Sequence, residues 1–486
     1  MRYFNFRKVR EEFKHLQKLQ QLSGLRSRLN LKYVALFFGS VAISALVVFA
    51  LWGVVPNEAA LMSGIFVIAG LLWVSEALPL FATAFLVISL EIILLSNPGG
   101  WDGLGFEAGE SPNYNTFLNP MANPVIFLFL GGFILAQASV KEGIDKALAS
   151  NILKIFGSKP AIVLFGLMAI TAVFSMWMSN TATTAMMIAL TAPLLHQIPQ
   201  GDPFKKALVI AIPFAANVGG LGTPIASPPN AVAVGFLKNM GIEISFLKWI
   251  LIAMPLMVIM LFVVWGLVWL FYKPKEANLS LRPENHKIDG RGFFVMVVFI
   301  ITILLWLSDA WHGLPTAVTA LFPVVAFTST GLIRRSDINS LEWHILILIA
   351  GGIALGTGMK QTGLDEIVVG IIPANLDLIY PILIVTTIVL STFMSNTAAS
   401  NLLIPLGISF ATALAPGDEK LSIEIGLGVA LAASMAMALP ISTPPNAIAY
   451  AKGVLSTKDF TVVGGIVGVI AAIMIMLGKG IIGFWL

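Results

Sequence analysis

The chain contains no cysteine, which excludes disulfides, thiolate metal sites and cysteine nucleophiles. Charge is nearly as scarce: Asp, Glu, Lys and Arg make up 11% of 486 residues, against 57% hydrophobic. With a mean hydropathy of +0.90, lipid rather than water must solvate most of the surface, so the chain reads as an integral membrane protein. It holds no Gly-rich phosphate loop, no His-Glu-x-x-His and no acid pair at motif spacing, so neither an enzyme nor a nucleic-acid partner is expected.

What the chain does have is apolar length. Runs at 33–53, 59–78, 80–95 and 123–140, a broken run at 207–238 and an unbroken one at 247–272 form a first half, 33–272. Runs at 292–308, 314–333 and 343–359, a broken run at 423–451 and a last one at 460–484 form a second half, 292–486. Most approach the length of about 20 residues that a bilayer requires. The polar, basic stretch 273–291 between them reads as a cytoplasmic linker. Two more apolar regions, 160–194 and 377–412, are each interrupted by Ser-Asn-Thr and read as re-entrant hairpins that enter and leave on one face. The expected fold is an all-α membrane protein with about eleven transmembrane helices and two re-entrant hairpins.

The basic residues test that topology. Nine lie in residues 1–32, where Phe6, Val9, Phe13 and Leu16 recur at helical spacing opposite Arg10, Lys14 and Lys18, as in an amphipathic helix on an anionic membrane surface. No small-residue cleavage site marks a signal peptide. Ile144, Leu148, Ile152 and Ile155 likewise oppose Lys141, Lys146 and Lys154, which predicts an interfacial helix. With a cytoplasmic N-terminus and an outer C-terminus, only Lys238, Lys248, Lys360, Lys420 and Lys479 of the 29 Lys and Arg fall outside. Such asymmetry is what the positive-inside rule demands of a multi-pass protein of the cytoplasmic membrane, and eleven Trp suit its aromatic belts.

The halves repeat. Ser175, Met178-Ser179-Asn180-Thr181 and Pro228-Pro229-Asn230-Ala231 recur 216 positions later as Ser391, Met394-Ser395-Asn396-Thr397 and Pro444-Pro445-Asn446-Ala447. Upstream, Gly131-Gly132 and Asp145 match Gly351-Gly352 and Asp365 at an offset of 220. Because the two hairpins open to opposite sides, the repeat is inverted, and transporters built this way hold substrate near the bilayer midplane where the repeats meet. Ser, Asn and Thr at a hairpin tip are N-cap residues, leaving helix N-termini with free N–H groups at mid-membrane, an anion site without Arg or Lys. The tandem prolines of the broken runs free carbonyl oxygens that suit a small cation such as Na⁺. This chemistry favours co-transport of an oxyanion with sodium.

In these paired motifs the chain resembles the divalent anion/sodium symporter family, in its di/tricarboxylate branch, over about residues 33–486. The resemblance implies secondary transport of a small dicarboxylate anion of the succinate, malate and fumarate class by alternating access, coupled to Na⁺ import. Sodium-independent exchange, or sulfate or citrate as substrate, are the alternatives. It further implies a homodimer in the bilayer with scaffold and transport domains of elevator type. Substrate contacts carry over to Ser179, Asn180, Thr181, Ser227, Pro228, Ser395, Asn396, Thr397, Thr443 and Pro444. One sodium site carries over to Ser175, Ser179, Asn180 and the backbone around Ala226, the other to Ser391, Asn396 and the backbone near Ser442. Ala226-Ser227-Pro228 stands where the family more usually has Gly-Thr-Pro, and Met437 and Ala449 stand where it tends to have Phe and Val. Of the other polar candidates, Glu76, near a membrane edge, is expected at the interface; Glu91 is the second intramembrane acid, and His312 and His344 fall near span ends.

Overall fold

The computed structural model describes residues 31–107, 109–153, 156–275, 288–371 and 376–485. The surface helix expected in 1–32 and most of the 273–291 linker lie outside these residues. The first half contains α1 (Leu31–Leu51), α2 (Asn57–Ser75), α3 (Leu80–Leu95), α4 (Pro124–Lys141), α5 (Ile144–Leu153), α6 (Pro160–Ser175), α7 (Asn180–Gln197), α8 (Phe204–Gly219), α9 (Pro228–Asn239) and α10 (Phe246–Phe271). The second contains α11 (Gly290–Leu307), α12 (Leu321–Ser329), α13 (Trp343–Gln361), α14 (Leu364–Ile371), α15 (Leu376–Phe393), α16 (Asn396–Leu414), α17 (Glu419–Ser434), α18 (Pro444–Tyr450) and α19 (Thr457–Trp485). Among the described residues, β-structure amounts to one isolated bridge, between Trp52 and Val55.

Local chemistry sets the boundaries. Pro124, Pro160, Pro228 and Pro444 open helices, where the missing N–H has no intrahelical partner to lose. Asn123 caps α4 by accepting from the Val125 N–H at 3.0 Å, and Asp289 caps α11 through the Gly292 N–H at 2.8 Å. Among the described residues eight helices are long and apolar enough to cross a membrane, and four apolar segments, including Leu80–Leu95 and Pro160–Ser175, are shorter. Seven of these eight correspond to expected spans, and the eighth, α16, is the second arm of the expected hairpin 377–412. The other four expected spans fall short because the chain is broken at 220–227 and 435–443 and because α3 and α12 are short. Ile144 is buried and Lys146 exposed on α5, as the amphipathic pattern predicts.

Packing follows the repeat. α8 and α17 are apolar on nearly every side and almost wholly buried, so they form the centre of the bundle. α9 leaves its own half and packs on α16 and α17, while α18 packs reciprocally on α7 and α8. In the same manner α4 lies on α12 and α13 lies on α3. The duplicated glycines permit these crossings: a Cβ on Gly131 would stand 2.5 Å from the Ala320 carbonyl oxygen, and one on Gly351 would overlap Ala84. α1, α10 and α11 instead expose apolar side chains such as Phe49, Phe262 and Leu304, the surface composition that lipid requires.

Candidate functional site

The two Ser-Asn-Thr segments fold alike. Ser179 (φ −55°, ψ 132°) and Ser395 (φ −59°, ψ 135°) are the N-cap residues of α7 and α16, each set in extended backbone before the helix starts at the asparagine. The Ser179 hydroxyl accepts from the Ala182 N–H at 3.4 Å; Ser395 makes no such bond. First-turn N–H groups are therefore left open at both helix starts. Ser179, Asn180, Thr181, Ser395 and Asn396 are half-buried and Thr397 is buried.

Beneath each tip lies a cluster of neutral oxygens. The Ser175 hydroxyl stands 2.5 Å from Asn180 Oδ1 and 2.8 Å from the Ala216 carbonyl oxygen. In the second half the Ser391 hydroxyl stands 2.8 Å from Asn396 Oδ1 and 2.9 Å from the Ala433 carbonyl oxygen. One hydroxyl hydrogen thus faces two acceptors in each half. Ser175 and Ser391 are fully buried, and a cation is the natural complement of such an oxygen-rich, hydrogen-poor site. Among the described residues no three His, Cys, Asp or Glu gather as a metal site; the donors are hydroxyl, amide and carbonyl oxygens, the set that hard monovalent cations take.

The breaks between α8 and α9 and between α17 and α18 correct one expectation. Several of the carbonyls thought free are already occupied. Asn230 Nδ2 donates to the Gly220 and Thr223 carbonyls at 2.8 and 2.9 Å, and Asn446 Nδ2 donates to the Met437 and Leu439 carbonyls, both at 3.0 Å. The asparagine of each Pro-Pro-Asn is therefore a staple across the break, a role its sequence position does not disclose. The Ser442 hydroxyl donates to the Thr392 carbonyl at 2.7 Å, tying the second loop to α15. Ala226, 216 positions earlier, has no hydroxyl; Thr223 makes the corresponding tie, to the Met176 carbonyl at 2.5 Å.

Ser227 and Thr443 join the halves. Thr443 caps α18 by accepting from the Asn446 N–H at 3.2 Å and also accepts from Asn217 Nδ2, on α8, at 3.2 Å. The Ser227 hydroxyl lies 3.2 Å from that of Ser434, on α17. Both are buried, while Pro228 is half-buried and Pro444 exposed. Three further residues at the site carried no sequence signal. Gly220 lies so close to Asn180 that a Cβ there would stand 2.6 Å from Asn180 Nδ2. Asn217 bridges to the other half. Glu342, preceding α13, has Oε1 3.4 Å from the Ser179 hydroxyl; burial holds its carboxyl above the usual range, opposed by the charge of His344 and the bond from Ser179. Glu76 ends α2 in left-handed backbone (φ 49°), whereas Glu91 is fully buried and neither carboxylate oxygen has a hydrogen-bond partner among the described residues.

Residues 70–423 match the citrate transporter family. The chain belongs to that family. It is a multi-pass membrane transporter and not an enzyme, related to dicarboxylate carriers. It is 31% identical over 452 residues to an uncharacterized transporter of Haemophilus influenzae, covering 88% of this chain and 93% of that one. The sodium-dependent dicarboxylate transporter SdcS of Staphylococcus aureus is 30% identical over 451 residues, covering 83% of this chain and 82% of its own. The inorganic phosphate transporter PHO87 of Saccharomyces cerevisiae is 31% identical over 428 residues, 84% of this chain and 45% of its own. The chain spans about half the length of the yeast relatives it matches.

Proposed function

We propose that this transporter moves dicarboxylates of the succinate, malate and fumarate class across the cytoplasmic membrane, coupled to Na⁺ import, by alternating access of an inverted repeat. The observation that carries the proposal is the duplicated oxygen cluster, Ser175 with Asn180 and Ser391 with Asn396, set beneath two helix N-termini. Magnitudes favour coupling. A helix N-terminus contributes on the order of 1 kcal/mol to a bound anion. A cation about 4 Å away contributes about 4 kcal/mol at an effective dielectric of 20. A dianion held without Lys or Arg therefore depends chiefly on the ions bound beside it, so substrate binding requires sodium.

In this reading Ser179, Asn180, Thr181, Ser395 and Asn396 present their half-exposed groups to the carboxylates, together with the buried Thr397. Ser227, Pro228, Thr443 and Pro444 complete the substrate contacts, with Ser227 and Thr443 each bonded to the end of a helix of the opposite repeat. Ser175 and the backbone around Ala226 complete one sodium site; Ser391 and the backbone near Ser442 complete the other. The half-molecules 33–272 and 292–486 each contribute to a scaffold and to a moving transport domain, in a homodimer with a cytoplasmic N-terminus and an outer C-terminus. The relative SdcS, named a sodium-dependent dicarboxylate transporter, supports this choice of solute and ion.

The test is uptake of labelled succinate, malate, fumarate, citrate, sulfate and phosphate into proteoliposomes, with and without an inward sodium gradient. Succinate uptake driven by the gradient is expected. Uptake that needs internal dicarboxylate and ignores sodium would replace symport by exchange, and preference for phosphate, sulfate or citrate would replace the solute.

A further inference from the structure

We infer that a basic cavity at the junction of α4, α11 and the loop after α12 is a binding site for the phosphate headgroup of an anionic phospholipid. The cavity, about 410 Å³, is lined by Lys141, Glu142, Arg291, Phe294, Thr330 and Arg334 among others. Lys141 is already engaged, donating from Nζ to Asp337 Oδ2 at 2.5 Å and to the Leu332 carbonyl at 2.8 Å. Arg291 and Arg334 form no ion pair among the described residues. Against them stand the Glu142 carboxylate in the lining and, beside it, that of Asp337, which Lys141 and the Arg334 N–H hold. Two guanidinium groups without an ion pair among the described residues, in one polar cavity, match phosphate oxygens, which such groups bind in bidentate fashion.

Free phosphate shares that chemistry, but what lies beside the cavity selects a lipid. Phe293, Val297, Ile301 and Leu304 recur at helical spacing along α11, with exposures of 59%, 36%, 39% and 58%. This stripe begins two residues from Arg291 and runs about 16 Å along the helix at 1.5 Å per residue. An acyl chain lies along it while the headgroup sits in the cavity. Arg291, in the first turn of α11, and Arg334, in the loop after α12, fall on the side that the positive-inside rule assigns to the cytoplasm, where anionic headgroups concentrate. The site is independent of the transported solute.

Native mass spectrometry of the full chain, purified in detergent and titrated with phosphatidylglycerol or phosphatidylcholine, tests this. Phosphatidylglycerol adducts are expected to persist in the wild type and to weaken about tenfold in Arg291→Gln and Arg334→Gln. Arg335→Gln, which removes an equal charge from an exposed residue outside the lining, is expected to bind as the wild type does. Elution as a single symmetric species checks folding, and either single variant that folds suffices. Equal retention of the two lipids, equal weakening in Arg335→Gln, or displacement of the adduct by excess inorganic phosphate overturns the assignment.

Discussion

Ser391 Oγ stands 2.8 Å from Asn396 Oδ1, so the last turn of α15 and the first residue of α16 share one oxygen cluster across the tip between them. Removing that hydroxyl leaves the asparagine and the Ala433 carbonyl in place and, on the proposed reading, deletes one sodium ligand. Ser391→Ala is expected to raise the sodium concentration for half-maximal uptake by about 10- to 100-fold, the equivalent of losing 1.5–3 kcal/mol of interaction with a charge. Ser175→Ala should act alike at the first site. Sodium titration of succinate uptake measures both, and unchanged sodium dependence in both variants would remove these serines from the ion sites.

On the proposed reading Asn180 and Asn396 serve two purposes at once, since their side-chain oxygens lie in the oxygen clusters and their backbones at the helix starts. Truncation therefore costs ion and anion together. Asn180→Ala and Asn396→Ala are each expected to lower succinate uptake by at least about 100-fold, since losses of about 1.5–3 kcal/mol at each coupled site combine. Circular dichroism and gel filtration should match the wild type. Near-normal kinetics in either variant would sink the site assignment.

Glu342 gives a pH dependence whose sign is fixed. Burial raises its carboxyl pKa in the folded protein, against the smaller opposing effects of His344 and Ser179. A group with a raised folded pKa binds its proton more tightly when folded. The stability it contributes is full below the unfolded pKa, about 4.3 for Glu, and is lost as pH rises through the folded value. Glu342→Gln carries no proton to lose, so its melting temperature should fall less than that of the wild type over this window. Parallel melting curves against pH would show that Glu342 does not titrate in this way.

Much of the architecture was legible because lipid leaves so little choice of residue. The boundaries of α1, α4, α10 and α13 follow the apolar runs closely, and the Ser-Asn-Thr and Pro-Pro-Asn motifs mark where helices start. What the sequence concealed are partners set by tertiary packing. Glu342 reaches Ser179 from 163 positions away and Asn217 reaches Thr443 from 226, distances at which no local pattern pairs residues. The staples made by Asn230 and Asn446 were hidden for another reason. The tandem prolines explain why helices start there, but only the folded loop shows that the amide two residues after the first proline donates back to carbonyls across the break. Glu91 is buried within α3, inside the apolar run that made it an intramembrane acid by sequence, and nothing in its described surroundings explains the choice of residue.

Adjacent glycines on α19 should respond oppositely to the same substitution. A Cβ on Gly464 would overlap the Met437 carbonyl, the same oxygen that accepts from Asn446 Nδ2 at 3.0 Å. Neither group can retreat, since one is backbone of α19 and the other is held by the staple across the second break. Gly464→Ala is therefore expected to destabilise by about 1–3 kcal/mol, the usual cost of overpacking, and to depress sodium-dependent uptake by shifting the loop that leads to Ser442. Nothing lies within 4 Å of a Cβ on Gly465, where alanine should stabilise the helix by up to about 1 kcal/mol. Melting temperatures of the two variants in detergent, with uptake measured alongside, decide the matter: equal behaviour at 464 and 465 would mean that α19 does not press on the break, and the proposed second sodium site would then lack the packing that shapes it.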